Sequence, residues 1–273
     1  MRTMDGNQSI ERAAAILRAL ASGSPKGSRL ADVVAATRLS RSTAHRLLVA
    51  MAGAGLVEYD AAAAVFHLGW DLFAFGAKAA SRRGLIDLAE GAMQRLADRT
   101  SDTVFLSVRS NVEAICIDRR EGSFPIRTLT LSVGDHRPLG VGAGSLALLA
   151  SLADGEIGRV LQANGDQIRA YPGFDAASLQ MLVSRTRMQG YAFNDGRIVP
   201  GMSAVGVAII GPGDEPVAAL SVAAIDSRMQ PDRRENIATI LRAEATALSK
   251  ELARLAEGLG RGSVRPLLAA RRR

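Results

Sequence analysis

The sequence predicts an α+β protein with a small, mainly helical amino-terminal domain and a larger α/β domain behind it. With 273 residues, 48% of them hydrophobic, the chain is long enough for about two domains. Over residues 1–70 the apolar residues recur mostly at helical spacing. From residue 85 helical patterns alternate with β-prone runs, which is typical of an α/β sheet domain.

We therefore divide the chain into four parts. Residues 1–70 form the first domain, residues 71–84 a linker helix, and residues 85–258 the second domain. Residues 259–273 form a basic tail, which we expect to be disordered and solvated, because polar chain ends without a docking surface are seldom ordered.

The first domain begins with two short helical patterns. Ser9 precedes apolar residues at helical spacing through residue 21, with Glu11 in the first turn, so it is the expected N-cap of a first helix. Residues 22–28 contain Pro25 and two glycines and predict a loop. Residues 30–37 predict a second helix.

The third helical pattern follows Leu39 and ends near Gly53 and Gly55. Ser40 is the expected N-cap, because its hydroxyl can accept the amide proton of residue 42 or 43. At 100° per residue the apolar residues share one stripe: Ala44, Leu47, Leu48 and Met51. The opposite face and its flanks hold Ser42, Thr43, His45, Arg46, Val49 and Gly53.

Two β-prone runs over residues 56–59 and 65–68 predict a small hairpin after this helix. Three helices followed by a two-stranded wing within about 70 residues indicate a winged helix-turn-helix, which places its third helix in the major groove of DNA. The residues expected at the DNA are Ser40, Arg41, Ser42, Thr43, His45 and Arg46. Arg46, central on the exposed face, suits guanine, whereas Arg41 suits phosphate.

The net charge of +7 is concentrated at the two ends of the chain. Residues 1–70 carry +3 and residues 261–273 carry +5, which leaves −1 for the remainder. A chain that is nearly neutral in the middle and basic at both ends is expected to contact a polyanion such as DNA through its ends.

Several classes of protein are disfavoured by composition. A single cysteine, Cys116, excludes an internal disulfide framework, and three scattered histidines disfavour a zinc site, so we predict neither metal nor cofactor. We find no apolar run long enough to span a membrane and no signal peptide, which predicts a cytoplasmic protein without a membrane partner.

Residues 70–79 continue as a helix with Leu72, Phe75, Gly76 and Ala79 on one side. One winged helix reads too few base pairs for useful specificity, so we expect this helix to form a dimer seam and the dimer to bind a palindromic site. The alternative is that the helix packs on its own domain.

The second domain is predicted to hold a sheet of about six strands flanked by helices. We expect strands over residues 103–109, 113–118, 125–131, 191–194, 204–210 and 217–224. We expect helices over residues 85–99, 145–153, 155–162, 176–189 and 233–257.

The stretch Gly142-Ala143-Gly144 opens the predicted helix at Ser145. Free amides at such a helix start can bind a carboxylate, whereas the simpler interpretation is a tight turn that needs glycine.

Two other classes of protein are alternatives to a DNA-binding regulator. A hydrolase would use Ser145 with Asp135-His136, but the nucleophile elbow requires glycine where Ala147 stands. A stand-alone ligand sensor would not explain the winged helix-turn-helix pattern of residues 9–69.

Three blocks of the first domain resemble the IclR family of bacterial transcriptional regulators: residues 9–13, 40–48 and 66–69. Their spacing also matches. The wing turn departs from the family, because four alanines follow Asp60 where polar residues or glycine are usual, which puts its contacts with the DNA backbone in doubt.

The resemblance continues through the second domain, on residues 137–139, 147–150, 190–195, 200–201 and 216–221, and implies a GAF-like effector-binding fold. It covers about residues 7–255. The family's two backbone donors fall on Ala143 and Gly144. Its effector-facing polar positions fall on Asn194, Ala204, Ser221 and Ala223.

The resemblance implies a homodimeric or tetrameric regulator whose operator affinity is modulated by a small organic acid. It is not expected to be an enzyme. Repression is the preferred direction of control, and activation stays open. Because Ala204 and Ala223 replace polar residues, we expect Ser221 to be the main hydroxyl, and an effector with an apolar or aromatic body packed against Leu129 or Met188.

Overall fold

A computed structural model describes residues 8–128 and 130–258. The chain forms two compact units that meet in sequence at Gly84 and Leu85. The predicted tail over residues 259–273 and Leu129, which was expected beside the effector, lie outside the described residues.

The first unit has the helices and hairpin that the sequence predicts. In order it contains α1 Gln8–Ala21, α2 Leu30–Thr37, α3 Arg41–Gly53, β1 Val57–Asp60, β2 Val65–Leu68 and α4 Trp70–Arg83. Strands β1 and β2 pair antiparallel, with Tyr59 opposite Phe66. Ser9 lies inside the first turn of α1 and not before it, so its prediction as the N-cap is wrong.

The core of the first unit is built from the apolar stripe predicted on α3. Ala44, Leu48 and Met51 are buried and Leu47 is half-buried. They face Ile16 of α1, as well as side chains from α2 and the hairpin. The apolar stripe of α3 therefore packs in the core of the first unit, and the opposite face of the helix is exposed to solvent.

The second unit is a six-stranded antiparallel sheet between two helical layers. Its elements are α5 Leu85–Thr100, β3 Thr103–Ser110, β4 Glu113–Arg120, β5 His136–Pro138, α6 Ala143–Ala150, α7 Asp154–Ala163, α8 Gly165–Ile168, α9 Ala176–Gln189, β6 Ala192–Asp195, β7 Met202–Ile210, β8 Pro216–Ile225 and α10 Pro231–Gly258. The strand order is β5-β4-β3-β8-β7-β6.

Alternation along the central strands divides the sheet into two faces. On β8, Leu220 and Val222 belong to the core formed with α5 and α10. Ala219 belongs to the opposite core, formed with α6, α7 and α9, and Ser221 and Ala223 share its face. This second face is where a row of small and polar residues leaves space unfilled.

The strand predicted over residues 125–131 is wrong. The described residues of this segment have no regular secondary structure, and the sixth strand is β5, which pairs with the start of β4. Thr128, Thr130 and Leu131 line a cavity. A segment with alternate residues facing a cavity has the same period-two pattern as a strand.

Helix α6 begins at Ala143, two residues earlier than predicted, and is buried along its whole length. Its cap residue Gly142 has φ 98°, a conformation that favours glycine. The helix lies directly on β7, because a Cβ at Gly206 would be only 2.5 Å from the carbonyl carbon of Ala143. Gly206 therefore sets how closely the start of α6 approaches the sheet.

None of the helices in the described ranges is long and apolar enough to cross a membrane.

Candidate nucleic-acid interface and ligand cavity

Helix α3 begins with a side-chain cap, as predicted. The Ser40 hydroxyl accepts a hydrogen bond from the Thr43 amide at 3.3 Å and donates one to Thr43 Oγ1 at 2.8 Å. This satisfies one of the amides that a helix start leaves without an intrahelical partner. Ser40 and Thr43 thus bond to each other and shape the helix start.

The other four predicted DNA residues are exposed on α3: Arg41, Ser42, His45 and Arg46. Within residues 8–128 and 130–258, no carboxylate forms an ion pair with Arg41 or Arg46. Val49 is 54% exposed on the same helix. The face therefore offers two cations, a hydroxyl, an imidazole and an apolar contact at once, which suits the edges and phosphates of a DNA groove.

A concave groove runs between the start of α2, the helix α3 and the hairpin. Its lining includes Arg29, Arg41, Ser42, His45 and Tyr59. Arg29 was not predicted, because sequence alone gives no sign that the residue before α2 lies beside α3. Two arginines in one groove suit a phosphate backbone, which supports a phosphate contact for Arg41.

The turn of the wing is stabilised without glycine. Asp60 Oδ1 accepts the amides of Ala62 and Ala63 at 2.8 and 3.1 Å, and Ala64 adopts φ 55°. The aspartate supplies the side-chain bond that turn residues of this kind make to their own backbone. The four alanines therefore form an ordered but apolar wing tip.

Helix α4 carries exposed aromatic side chains on more than one side, because at about 100° per residue Phe75 lies about 140° from Trp70 and about 160° from Phe73. Trp70, Phe73 and Phe75 are 74%, 72% and 56% exposed, and the first two rings contact edge to face. Of the predicted seam, Phe75 and Gly76 are exposed and Leu72 is half-buried, whereas the side chain of Ala79 lies outside the described residues. Three large apolar side chains in water on one helix mark a surface that another protein could cover.

A cavity lies in the second unit, between the sheet and the start of α6. Phe105, Ser107, Ala204, Ser221 and Ala223 form its floor, since they share one face of β3, β7 and β8. Residues 141–145 form one wall. The other walls come from Thr128, Thr130 and Leu131, and from Ile198, Val199, Met202 and Ser203. About 50 Å³ remains in which the centre of a water-sized group can lie, enough for a small molecule.

All six residues predicted to bind an effector line this one cavity. They are Ala143, Gly144, Asn194, Ala204, Ser221 and Ala223. Two of them lie directly opposite each other, Ala204 and Ala223, while Asn194 pairs with Ala204 on the outer side. The sheet thus brings together residues far apart in sequence, and their role in ligand binding stays a prediction.

The cavity is more polar than the sequence indicates, and the expectation that Ser221 is its main hydroxyl is wrong. Ser107, Thr128 and Thr130 add hydroxyls to the lining. The expected contact of an effector with Met188 is also wrong, because Met188 is 84% exposed on α9 and does not line the cavity. The hydroxyls of the 128–131 segment were missed because the segment was predicted as a strand.

Two buried polar atoms, on residues that line this cavity, have no hydrogen-bond partner among the described residues. They are Thr128 Oγ1 and Asn194 Oδ1, on residues that are 2% and 9% exposed. A buried polar group without a partner costs about 1–3 kcal/mol. A cost of this size at two positions that line one cavity is typical of a site whose partner is a ligand or water.

The start of α6 faces the cavity with unsatisfied amides. The first intrahelical bond runs from the Leu146 amide to the Gly142 carbonyl, so the amides of Ala143, Gly144 and Ser145 have no acceptor within the helix. The positive end of the helix and these amides favour an anion.

Arg137, on β5, also lines the cavity, and sequence reasoning did not assign it a role. Burial lowers the pKa of its guanidinium from the ordinary value, although arginine stays charged near neutral pH. Its Nη2 donates a hydrogen bond to the Thr130 carbonyl.

The serine that a hydrolase would use is occupied by the backbone. Ser145 Oγ donates to the Pro138 carbonyl at 2.9 Å and accepts the Gly140 amide at 3.0 Å. His136 is exposed and its Nδ1 contacts Glu113 at 3.0 Å. This geometry gives Ser145 no histidine partner, so it does not favour the nucleophile role.

A winged helix with an exposed cationic face, joined to a domain with a cavity beside its sheet, defines a class: the DNA-binding regulators that carry a ligand domain. Comparison with known proteins agrees. Residues 9–61 match the "IclR helix-turn-helix domain" and residues 77–250 match "Bacterial transcriptional regulator IclR C-terminal". The chain belongs to the IclR family of bacterial transcriptional regulators.

Its relatives include the HTH-type transcriptional repressor AllR of Escherichia coli K12, 29% identical over 248 residues that cover 90% of this chain and 91% of AllR. Among solved structures, an IclR transcriptional regulator from Alicyclobacillus acidocaldarius aligns with TM-score 0.74 and 26% identity over 89% of this chain and 98% of that one. An IclR homolog from Microbacterium hydrocarbonoxydans, complexed with 4-hydroxybenzoate, shares the fold with TM-score 0.69 and 23% identity, over 89% and 98% of the two chains.

Proposed function

We propose that this regulator is a repressor that binds operator DNA through α3 and releases it when a small organic acid occupies the cavity of the second unit. The observation that carries the proposal is the cavity, which collects all six predicted effector residues in a chain that also presents an unpaired cationic helix face. The name of the AllR relatives, transcriptional repressor, supports repression as the direction of control.

At the DNA, Arg46 would read a base edge, and Arg41 and Arg29 would hold phosphates. Ser42 and His45 flank Arg46 on the exposed face. Ser40 and Thr43 contribute indirectly, because their hydrogen bonds set the direction of the first turn of α3.

In the cavity, the acid group would lie against the amides of Ala143 and Gly144, with Asn194 and Ser221 on either side. Ala204 and Ala223 supply the small side chains that keep the space open. The apolar or aromatic body that the sequence suggests for the effector stays a prediction.

The regulator would act as a homodimer on a palindromic site, with a second copy covering the side of α4 that carries Leu72, Phe75 and Gly76. The exposure of Phe75 and Gly76 argues for such a cover. A charge on this side, Phe75→Glu, should give monomers that bind DNA poorly. Sedimentation that finds the same oligomer for the variant and the wild type would move the interface elsewhere.

The direct test is a gel-shift titration of the DNA upstream of the protein's own gene, with and without glyoxylate, pyruvate and benzoate. Coupling between effector and DNA is typically about 1–3 kcal/mol, so an active acid should change operator affinity roughly 5- to 150-fold. Retention of DNA affinity in every acid, together with no change in thermal stability, would contradict effector control. Tighter DNA binding in an acid would contradict release and indicate activation or co-repression.

A further inference from the structure

Arg137 is a half-buried cation at the cavity, without a carboxylate in direct contact in the described chain. In the parts of the chain that the structure describes, no carboxylate lies within salt-bridge distance of its guanidinium. Asp135 is close enough to favour the charged form, but burial has the larger effect and lowers the pKa. A half-buried charge of this kind is costly unless something compensates it.

The Arg137 guanidinium lies beside the start of α6, whose free amides also attract an anion. A Cβ added to Gly142 would lie 3.1 Å from Arg137 Nη1, so the guanidinium packs against the residue that caps α6. The amides of Ala143 and Gly144 follow immediately. A helix start and a guanidinium at one wall give that side of the cavity a single sign of charge.

The unpartnered side chains stand at the same cavity. Thr128 Oγ1 and Asn194 Oδ1 are buried and lack a hydrogen-bond partner. They are neutral groups, so they suit a hydroxyl, carbonyl or amide on the ligand rather than its charge. Together with Arg137 they describe a ligand with one anionic end and a second polar group.

The same guanidinium also holds the cavity wall. Its Nη2 donates to the Thr130 carbonyl, in the segment between β4 and β5 that has no regular secondary structure. The rest of this segment is tied elsewhere: the Phe124 amide donates to Ser101, and the Gly134 amide donates to Cys116. Two side chains thus hold the middle of this wall: Arg137 donates to the Thr130 carbonyl, and Thr103 Oγ1 on β3 accepts the Thr128 amide at 3.3 Å.

We propose that Arg137 is the charge-recognising residue of the cavity: it forms an ion pair with the carboxylate of the effector and, through Thr130, transmits occupation of the cavity to residues 121–135. The proposal rests on the proposed function of the cavity as the effector site. It requires an effector that is anionic when bound. It also predicts that Arg137 variants bind the effector more weakly because the charge is lost, and not because the chain fails to fold.

The experiment compares acids with their neutral amides. Thermal unfolding of the full chain is followed with glyoxylate, pyruvate and benzoate, and with pyruvamide and benzamide as uncharged partners. At least one carboxylate should raise Tm while its amide does not. In Arg137→Gln that carboxylate should bind roughly 10- to 100-fold more weakly by calorimetry, because a hydrogen bond to a charged group is lost.

Two further variants separate charge from folding. Arg137→Lys keeps the charge and should retain part of the affinity. Arg99→Gln removes the same charge from an exposed position on α5 of the same unit and should leave the affinity unchanged. Circular dichroism that matches the wild type shows that each variant folds. Hydrogen exchange should report greater protection of residues 121–135 on binding in the wild type, and not in Arg137→Gln.

The proposal is wrong if no carboxylate raises Tm, if an amide binds as tightly as its acid, or if the folded Arg137→Gln variant binds the acid with unchanged affinity. The proposed function fails separately, when the wild-type chain does not bind the upstream DNA or when a bound acid leaves DNA affinity unchanged. A wild-type protein that responds to a neutral compound would keep the function and overturn the role of Arg137.

Discussion

The hydroxyl of Ser40 accepts a hydrogen bond from the amide of Thr43 at 3.3 Å, and this contact caps the helix on which Arg46 is exposed. Ser40→Ala removes the cap and should lower the free energy of unfolding of the first unit by about 0.5–2 kcal/mol. Urea unfolding followed by circular dichroism measures it. Ser9→Ala, an exposed serine inside α1, is the control and should change stability little. Equal stability of the two variants would show that the cap contributes nothing.

Arg46 is exposed on α3 and has no ion-pair partner in the described chain, so its guanidinium is available to a guanine edge. Arg46→Ala should weaken binding to the specific operator by about 1–3 kcal/mol and relax the preference at one base position. Gel-shift titration against a set of single-base operator variants measures both effects. An unchanged preference at every position would reject base reading by Arg46.

Arg41 lines the groove beside Arg29, which suits a phosphate rather than a base. Arg41→Ala should weaken binding to operator and random DNA alike and lower the slope of log affinity against log salt by about one. Affinities measured over a salt series give the slope. A selective loss on the operator, with the slope unchanged, would assign Arg41 to base reading instead.

Thr128 is 2% exposed and its hydroxyl has no partner. Thr128→Val keeps the shape and removes the orphaned oxygen, so the ligand-free protein should be more stable by about 1 kcal/mol. The same variant should bind an effector acid more weakly. Thermal unfolding and calorimetry measure the two effects. A drop in stability without ligand would indicate that the hydroxyl is already paired, for instance by an ordered water.

Burial raises the pKa of the Cys116 thiol to about 11, and the nearby Asp135 and Asp118 add to the shift. Because the reactive form is the thiolate, a higher pKa leaves the native thiol protonated and unreactive near pH 8. Unfolding returns the pKa to about 8.5 and exposes the sulfur. A thiol reagent such as Ellman's should therefore react slowly until urea unfolds the second unit. Rapid reaction in the native protein would show that the segment over Cys116 opens.

The first unit could be predicted almost completely because its signals are local. The apolar stripe of α3, the cap at Ser40 and the alternating residues of the hairpin each reflect contacts within a few residues. The exposed aromatic side chains Trp70 and Phe73 were not predicted, since helical spacing groups residues on a face but does not say which face lies in water.

The cavity could be predicted only in part. Ala143, Gly144, Asn194, Ala204, Ser221 and Ala223 were found through the family resemblance, and the structure brings them together across β6, β7, β8 and α6. Thr128 and Thr130 were missed because an extended segment that faces a cavity has the same alternation as a strand. Arg137 was missed because its place in the cavity wall, and its lack of an ion-pair partner among the described residues, are visible only in the folded chain.

Central to the proposed function is the coupling, within one chain, between operator DNA bound at α3 and an anion bound in the cavity. The most direct measurement is DNA affinity of the wild type and Arg137→Gln over a titration of the acid that most raises Tm. The account predicts that the acid lowers wild-type affinity roughly 5- to 150-fold, while the variant binds the same DNA without acid and needs about 10 to 100 times more acid for release. Identical release curves for the two proteins would contradict it.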